Sequence, residues 1–361
     1  MTAPGEAARR KPARRPTIKD IARRAGVSES AVSFALNDRP GVSQDTRARV
    51  RRVAEELGWQ PNSAARALSG ERAGCMGLVL ARPAQTLGVE SFFLQLVSGI
   101  QEVFAARKIA LLFQVVADLE TECALYRRWW AERRVDGVLV VDPRTQDPRP
   151  QLLASLGLPA VVVGGHAEPA PDPPDAPRTR PLLSTVWADD SKAMARLVDH
   201  LYGLGHRRIV HVAGLPGLAH TERRIRSLRT EADLRGLDDR QVRSVTTDYS
   251  DAEGAEATRR ILDAAEPPTA IIYDNDVMAV AGASVAAERG IPVPDRLSIV
   301  AWDDSPLCRV THPRLTALVR DTPGFGRLAA QELLAVLDGG PLRTVQGELP
   351  HLEARESTGA P

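Results

Sequence analysis

Asp303 and Asp304 close the apolar run LSIVAWDD, and Asn275 and Asp276 stand at the end of the run TAIIYDN. Arg224 follows the loop GLPGLAHTE, where a helix is expected to begin. A carboxylate, an amide and a guanidinium converging on one cleft suit a polyhydroxy guest. Each bonds two adjacent hydroxyls, and the guanidinium does so as a planar fork. Plainer roles stand beside these: strand-end capping for Asp303 and Asn275, and a solvated helix face for Arg224 in the basic run RRIRSLR. The paired aspartates also invite a glycosidase reading, in which two carboxylates flank a sugar. Adjacent residues need not face one cleft, however, and no pattern places a second acid. No Walker-type phosphate loop, nucleophile elbow or metal-ligand spacing occurs. The chain is expected to bind rather than catalyse, with no cofactor.

A second set of polar residues lies near the start. TIKDIARRAGVSESAVSFALN (17–37) reads as two short helices joined by a tight turn. Thr17 can cap the first, and Asp20 three residues on completes a capping box. Ile18, Ile21, Ala22 and Ala25 fall on one apolar stripe. Gly26 ends the helix because glycine enters the left-handed region without a Cβ penalty. Ser28 then caps a second helix. There Ala31, Val32, Ala35 and Leu36 form the expected buried side, with Glu29, Ser30, Ser33, Phe34 and Asn37 opposite. Small alanines let the helices pack closely and leave a short polar face free to meet base edges in a DNA major groove. An ordinary αα-hairpin shares this pattern. The neighbouring stretches favour DNA.

Ser43 caps a third helix with the stripe Val50, Val53, Ala54 and Leu57, closed by Gly58. Arg47, Arg49, Arg51 and Arg52 crowd its polar side, where they can position the protein on phosphates or simply face solvent. PNSAARALSG (61–70) is an alanine-rich helix too short to stand alone. It is either a passive linker or a hinge that pairs with a second copy and wedges Leu68 into a minor-groove base step.

The formal net charge of +1 over 361 residues hides an asymmetry. Residues 1–72 carry 15 Lys and Arg against 8 Asp and Glu, and the remainder 32 against 38. A basic head on an acidic body suits a polyanion partner for the head only. Part of the excess, Arg9 to Arg15, belongs to a Pro/Ala-rich lead expected to be disordered (1–16). Cys75, Cys123 and Cys308 are scattered and odd in number, which fits a reducing compartment. With no signal-like segment and no apolar run near ~20 residues, a cytoplasmic protein without a membrane partner is expected.

From Cys75 on, strand-length apolar runs alternate with helical patterns. The runs are 76–81, 110–116, 136–141, 159–165, 208–214, 242–248, 269–275 and 297–304, with helices at 91–107 and 122–134 among those between them. Such alternation implies mainly parallel sheets covered on both faces. Two series make two lobes, with a ligand expected in the cleft beyond the strand ends. HAEPAPDPPDAPRTRP (166–181) is proline-rich and reads as an extended surface loop, placed to edge the cleft or merely to cover the surface.

The segments TIKDIARRAGVS, AVSFALN, GVSQDTRARV and QPNSAARALSG resemble, in order and spacing, the lactose-repressor/galactose-repressor (LacI/GalR) family of bacterial transcription regulators. VDHLYGLGHRRIVHVAG (198–214), PTAIIYDNDVMAVAGASVAAERGIPVPDRLSIVAWDD (268–304) and LEARESTG (352–359) extend the resemblance from Thr17 to Gly359. It implies a small all-α helix-turn-helix headpiece (17–60), a hinge helix (61–71) and an α/β two-lobed body like the periplasmic binding proteins (72–361). The N-lobe would take about 75–187 and 319–348, and the C-lobe about 188–318 and 349–359, with crossings near Trp187, Leu318 and Leu349. The resemblance implies a repressor that binds near-palindromic double-stranded operator DNA as a homodimer, since family members with a tetramer-forming helix continue past the STG motif where this chain stops. A small-molecule effector (sugar, sugar phosphate or nucleoside) would control it.

By the same resemblance the residues expected on DNA are Thr17, Ser28, Glu29, Ser30, Ser33, Phe34, Asn37, Arg47, Asn62, Ala65 and Leu68. Those expected on the effector are Phe92, Phe93, His220, Arg224, Asn275, Trp302 and Asp303. Three positions depart from the family pattern. Ala31 replaces a usual Thr, and Phe34 replaces a usual Arg that would read guanine, leaving only apolar contact such as a thymine methyl. Gly164 stands where an effector-binding Asp is common. A two-lobed body of this kind also serves sugar-uptake proteins, but the basic helical head and missing export signal argue against that role.

Overall fold

The computed structural model describes residues 15–60, 72–82, 91–165 and 182–361. The chain divides into two compact units, Met1–Glu71 and Arg72–Pro361. The hinge residues Asn62, Ala65 and Leu68 and the proline-rich loop 166–181 lie outside the described residues.

Among the described residues of the first unit are three helices, α1 (Ile18–Ala25), α2 (Glu29–Leu36) and α3 (Gln44–Glu56). Each starts at a hydroxyl cap. The Thr17 N–H donates to Asp20 Oδ2 at 2.9 Å, and Thr17 Oγ1 accepts the Asp20 N–H at 3.4 Å, the reciprocal pair of a capping box. Ser28 Oγ accepts from the Ala31 N–H and Ser43 Oγ from the Thr46 N–H, both at 3.2 Å. Gly26 turns the chain at φ +67°. Ile21, Ala22, Ala25, Val32, Ala35, Val50, Val53 and Ala54 make the core. Four apolar residues expected inside sit farther out. Ile18 is 37% exposed, and Ala31, Leu36 and Leu57 are half-buried. The core takes in one narrow line of α2, Val32 and Ala35, and the flanks of that line stay partly wet.

The second unit holds two six-stranded sheets. The first has β1 (Cys75–Ala81), β2 (Ala110–Val116), β3 (Gly137–Val140), β4 (Ala160–Val163), β5 (Ser184–Trp187) and β11 (Thr344–Gln346), in the order β11-β5-β4-β3-β1-β2. The second has β6 (Ile209–Ala213), β7 (Val242–Thr246), β8 (Ala270–Tyr273), β9 (Ser298–Ala301), β10 (Thr316–Val319) and β12 (His351–Glu353), in the order β12-β10-β9-β8-β6-β7. Among the described strands every pairing is parallel except β10 with β12. Central strands such as β3, β4, β8 and β9 are buried along their whole length, as a sheet covered on both faces requires.

The covering helices are α4 (Ser91–Ala106), α5 (Leu119–Ala131), α6 (Arg149–Leu156), α7 (Asp190–Gly203), α8 (Ala219–Leu234), α9 (Asp251–Leu262), α10 (Asp276–Glu288), α11 (Pro306–Val310) and α12 (Thr322–Leu337). The helix expected at 122–134 lies three residues earlier, because Asp118 caps it by accepting from the Thr121 N–H at 2.8 Å. The chain passes from the first sheet to the second after Trp187, returns after Val319 to lay α12 against α4, and crosses again after Gln346. Helices α4 and α12 touch backbone to backbone. A Cβ on Gly99 would lie 1.9 Å from the Pro323 carbonyl oxygen, and one on Gly326 2.2 Å from that of Leu96. Among the described residues no helix is long and apolar enough to cross a membrane.

Candidate ligand cleft and nucleic-acid interface

The carboxyl ends of both sheets face a common cleft whose empty space, including its open mouth, is about 670 Å³. Parallel sheets put their chain-reversing loops, and hence their variable polar residues, at these ends. Arg82 follows β1, Asp142 β3, Gly164 β4, Asp190 β5, Tyr249 β7, Asp274 and Asn275 β8, Asp303 β9 and Arg320 β10, and all line the cleft.

Arg224 is the most heavily braced of them. It is 5% exposed, its Nη1 lies 3.0 Å from Asp274 Oδ1, and its Nε donates to Asp190 Oδ1 at 3.4 Å. Burial by itself would raise both carboxyls, but Arg224 beside them holds each below the ordinary carboxylate range. Behind Asp274 stands the buried His211, with its Nε2 2.9 Å from Asp274 Oδ1 and its Nδ1 3.1 Å from Ser244 Oγ. A chain of polar contacts thus runs through the second sheet to the guanidinium.

The other expected effector residues are placed as follows. His220 lines the cleft with Nε2 2.8 Å from the Tyr249 hydroxyl. Burial, and then the Arg224 cation, push its imidazole down to about 4. Asn275 lines the cleft but also caps α10: its Oδ1 accepts from the Met278 N–H at 2.8 Å, and its Nδ2 donates to the Tyr249 carbonyl at 3.0 Å. Capping and cleft roles coexist in one side chain. Asp303 pairs with Arg320, whose guanidinium carbon lies 4.5 Å from the centre of the Phe92 ring. Phe93 reaches the cleft from α4 while remaining part of the first lobe's core. Trp302 differs from an aromatic platform for a guest. It is 1% exposed, packs in the second lobe's core, and lies beneath Arg224.

Asp304 turns away from Asp303. Its two oxygens are held at 2.7 Å by Arg309 and by Arg355, and it does not line the cleft. The neighbouring aspartates therefore form no carboxylate pair across a sugar bond. At Gly164, φ is +111° and a Cβ would lie 3.2 Å from Pro143 Cδ, so a side chain there would be strained. Arg82, Asp142, Asp190, Tyr249, Asp274 and Arg320 were not anticipated. Their signal was positional, since each stands within a few residues of a strand's carboxyl end.

In the first unit Thr17, Ser28, Glu29, Ser30, Phe34 and Asn37 are exposed, and Ser33 is half-buried. Ser28 and Ser30 are hydrogen-bonded through their hydroxyls at 2.9 Å, and Asn37 Nδ2 lies 3.5 Å from Ser33 Oγ. The Phe34 ring leans on the loop, with Cδ2 3.2 Å from where a Gly41 Cβ would be. Arg47 braces that loop, donating to Asp38 Oδ1 at 2.6 Å and to the Arg39 carbonyl at 2.9 Å.

Comparison with known proteins decides the kinship. Residues 17–62 match the bacterial regulatory proteins of the lacI family, and residues 198–358 a periplasmic binding protein-like domain. The HTH-type transcriptional regulator CelR of Thermobifida fusca is 30% identical, across 95% of this chain and 98% of its own. The chain belongs to the LacI family. It is a DNA-binding transcription regulator and not an enzyme. Among solved LacI-family structures, a CelR–cellobiose complex is 28% identical with a TM-score of 0.68, covering 95% of this chain and 100% of that one. The lac repressor dimer bound to operator and an anti-inducer shares the fold at a TM-score of 0.81 and 22% identity, covering 96% and 100%. In this LacI-family chain, then, the headpiece carries a polar helix face and the body a charged cleft at the carboxyl ends of two sheets.

Proposed function

We propose that the chain is a homodimeric repressor of a near-palindromic operator, released or recruited by a neutral carbohydrate in the inter-lobe cleft. The exposed side of α2, with Glu29, Ser30 and Phe34, meets base edges. Arg49 and its neighbours meet phosphates, and paired hinge segments place Leu68 near the operator centre. The lac repressor relative is a dimer on operator DNA, and the CelR structure holds cellobiose.

One observation carries the choice of effector. The cleft wall holds four carboxylates, Asp142, Asp190, Asp274 and Asp303, against three guanidinium groups, Arg82, Arg224 and Arg320. Each of these carboxylates is already paired with a cation, Asp190 with Arg223 as well, so a phosphate ester would have to compete with carboxylates for the guanidinium groups, whereas hydroxyls can donate to the carboxylates and accept from the guanidinium groups. Tyr249 and the half-buried Phe92 offer aromatic surface for the ring. A thermal-shift panel of neutral sugars, sugar phosphates and nucleosides tests this, since a ligand of the native state raises the melting temperature. Stabilisation by a phosphorylated sugar but by no neutral one would overturn it. For the DNA arm, Leu68→Ala is expected to weaken specific binding and remove most of the operator bend. Bending equal to wild type in circular-permutation gels would remove Leu68 from the wedge.

A further inference from the structure

Arg82 stands where a guest would lie. It is 5% exposed, and its Nε and Nη2 meet Asp142 Oδ2 and Oδ1 at 2.5 and 2.9 Å, a bidentate fork. Its guanidinium carbon is 5.0 Å from the centre of the Phe93 ring and 4.9 Å from that of Tyr249. Asp142 and Phe93 belong to the first lobe and Tyr249 to the second. One cation thus bridges the lobes, with two rings and a carboxylate holding it.

Its partners are themselves fixed in place. Asp142 sits at φ +51°, and its carbonyl accepts from Arg149 Nη2 at 2.8 Å, which pins it to a buried ion cluster with Glu122 and Asp147. Tyr249 sits at φ +72°, and its ring presses on Gly214 so closely that a Cβ there would fall 1.7 Å from it. Non-glycine residues in this region persist only where their surroundings hold them. Arg82 reaches the slot on a long flexible stem. With it in place, the cleft has only about 70 Å³ of room for water-sized guests, well short of the roughly 300–1,000 Å³ of ordinary small-molecule sites.

We propose that Arg82 is a specificity-determining residue that fills the effector's place and locks the lobes shut, so that a neutral polyhydroxy ring enters by displacing it. The ring's apolar face takes over the contact with Tyr249 and Phe93. Two adjacent hydroxyls donate to the Asp142 carboxylate in place of the guanidinium fork. Displacement rests on the reading of this cleft as a carbohydrate site, whereas the lock does not.

Two backbone bonds across the lobes report closure: the Ala219 N–H donates to the Pro143 carbonyl at 2.8 Å, and the Thr145 N–H to the Gly217 carbonyl at 3.3 Å. Hydrogen exchange of the full-length, ligand-free chain tests the lock. Arg82→Ala is expected to speed exchange at Ala219 and Thr145 at least tenfold, while the Ser298 amide, bonded within the second sheet to the Thr269 carbonyl, stays within twofold of wild type. Arg82→Gln, which keeps bulk and hydrogen-bonding capacity, is the alternative if the alanine variant loses cooperative unfolding. Wild-type exchange at both reporter amides in a folded variant overturns the lock. Cellobiose, maltose and D-glucose then test displacement by calorimetry. At least fivefold tighter binding of one of them to the Arg82 variant supports it, and equal or weaker binding overturns it. No binding to either protein overturns displacement and the carbohydrate reading together, and the exchange result still decides the lock.

Discussion

The guanidinium carbon of Arg224 stands 4.0 Å over the centre of the Trp302 ring, while the same side chain meets Asp274 and Asp190 at its edges. The ring forms a floor that keeps the cation in plane, and the aspartates set its direction. A guanidinium held this way can only offer its remaining donors to the cleft.

Trp302→Leu removes the floor and keeps the pairs. A desolvated cation–π contact contributes about 2 kcal/mol, so sugar affinity is expected to fall by up to about thirtyfold. Arg224→Ala should abolish the effector response and also take a cation from two buried carboxylates, leaving Asp274 to His211 and Asp190 to Arg223, at a cost of up to about 3–5 kcal/mol. Urea unfolding and sugar titration of operator complexes check both. An Arg224→Ala protein that still releases or gains operator on adding sugar would remove Arg224 from the site.

The His220 imidazole titrates at about 4 in the folded chain, below its ordinary 6.5. Between those values the unfolded chain binds the extra proton, so stability falls as pH drops from 6.5 to 4 and its contribution is complete above 6.5. At 1.36 kcal/mol per unit the loss is at most about 3 kcal/mol. The depressed carboxyls of Asp142, Asp190 and Asp274 begin to lose their contribution as pH falls through the ordinary carboxylate range and have lost all of it only below their own lowered values, mostly beneath the histidine window. His220→Gln should flatten the dependence between pH 4 and 6.5. Equal slopes in urea midpoints for variant and wild type would contradict it.

Gly214→Ala places a methyl carbon inside the Tyr249 ring. Overpacking of this kind costs about 1–3 kcal/mol, and here it is relieved only by moving Tyr249. Weakened sugar binding together with a lower melting temperature is expected. A variant with wild-type binding would mean that Tyr249 is dispensable to the cleft.

Phe34 is 37% exposed at the surface of α2 and has no polar group for a base edge. Phe34→Arg is expected to shift selected operator sequences toward guanine at one position in each half-site, by about 1–3 kcal/mol. Arg49→Ala should weaken all duplexes alike and reduce the salt slope by about one. Selection from a random duplex pool and binding at two salt concentrations separate the two behaviours.

Much of the architecture was legible because it is local. Thr17, Ser28 and Ser43 cap their helices through partners three residues away, and glycine at 26 turns the chain for reasons internal to its backbone. The eight apolar runs were readable because covered central strands bury nearly every residue, although the edge strands β2 and β7 are mostly half-buried. Strands β5, β10, β11 and β12 carry weaker patterns, three or four residues long, and two of them are largely exposed. In the cleft, Arg224, Asn275 and Asp303 were reachable from their positions after strands. Trp302 was not, since the residue just after a strand can face either the cleft or the core, and packing under Arg224 chose the core.

The sequence by itself determined the class of each element, the basic head and acidic body, and the polar residues waiting at strand ends, all of which depend on neighbours within a turn or a pleat. Only the tertiary structure decided that Arg82 and Tyr249, from different lobes, share one slot, and that Asp303 and Asp304 part company. Those outcomes depend on which strand ends the sheet order and the lobe crossings bring face to face, and adjacent residues carry no record of that.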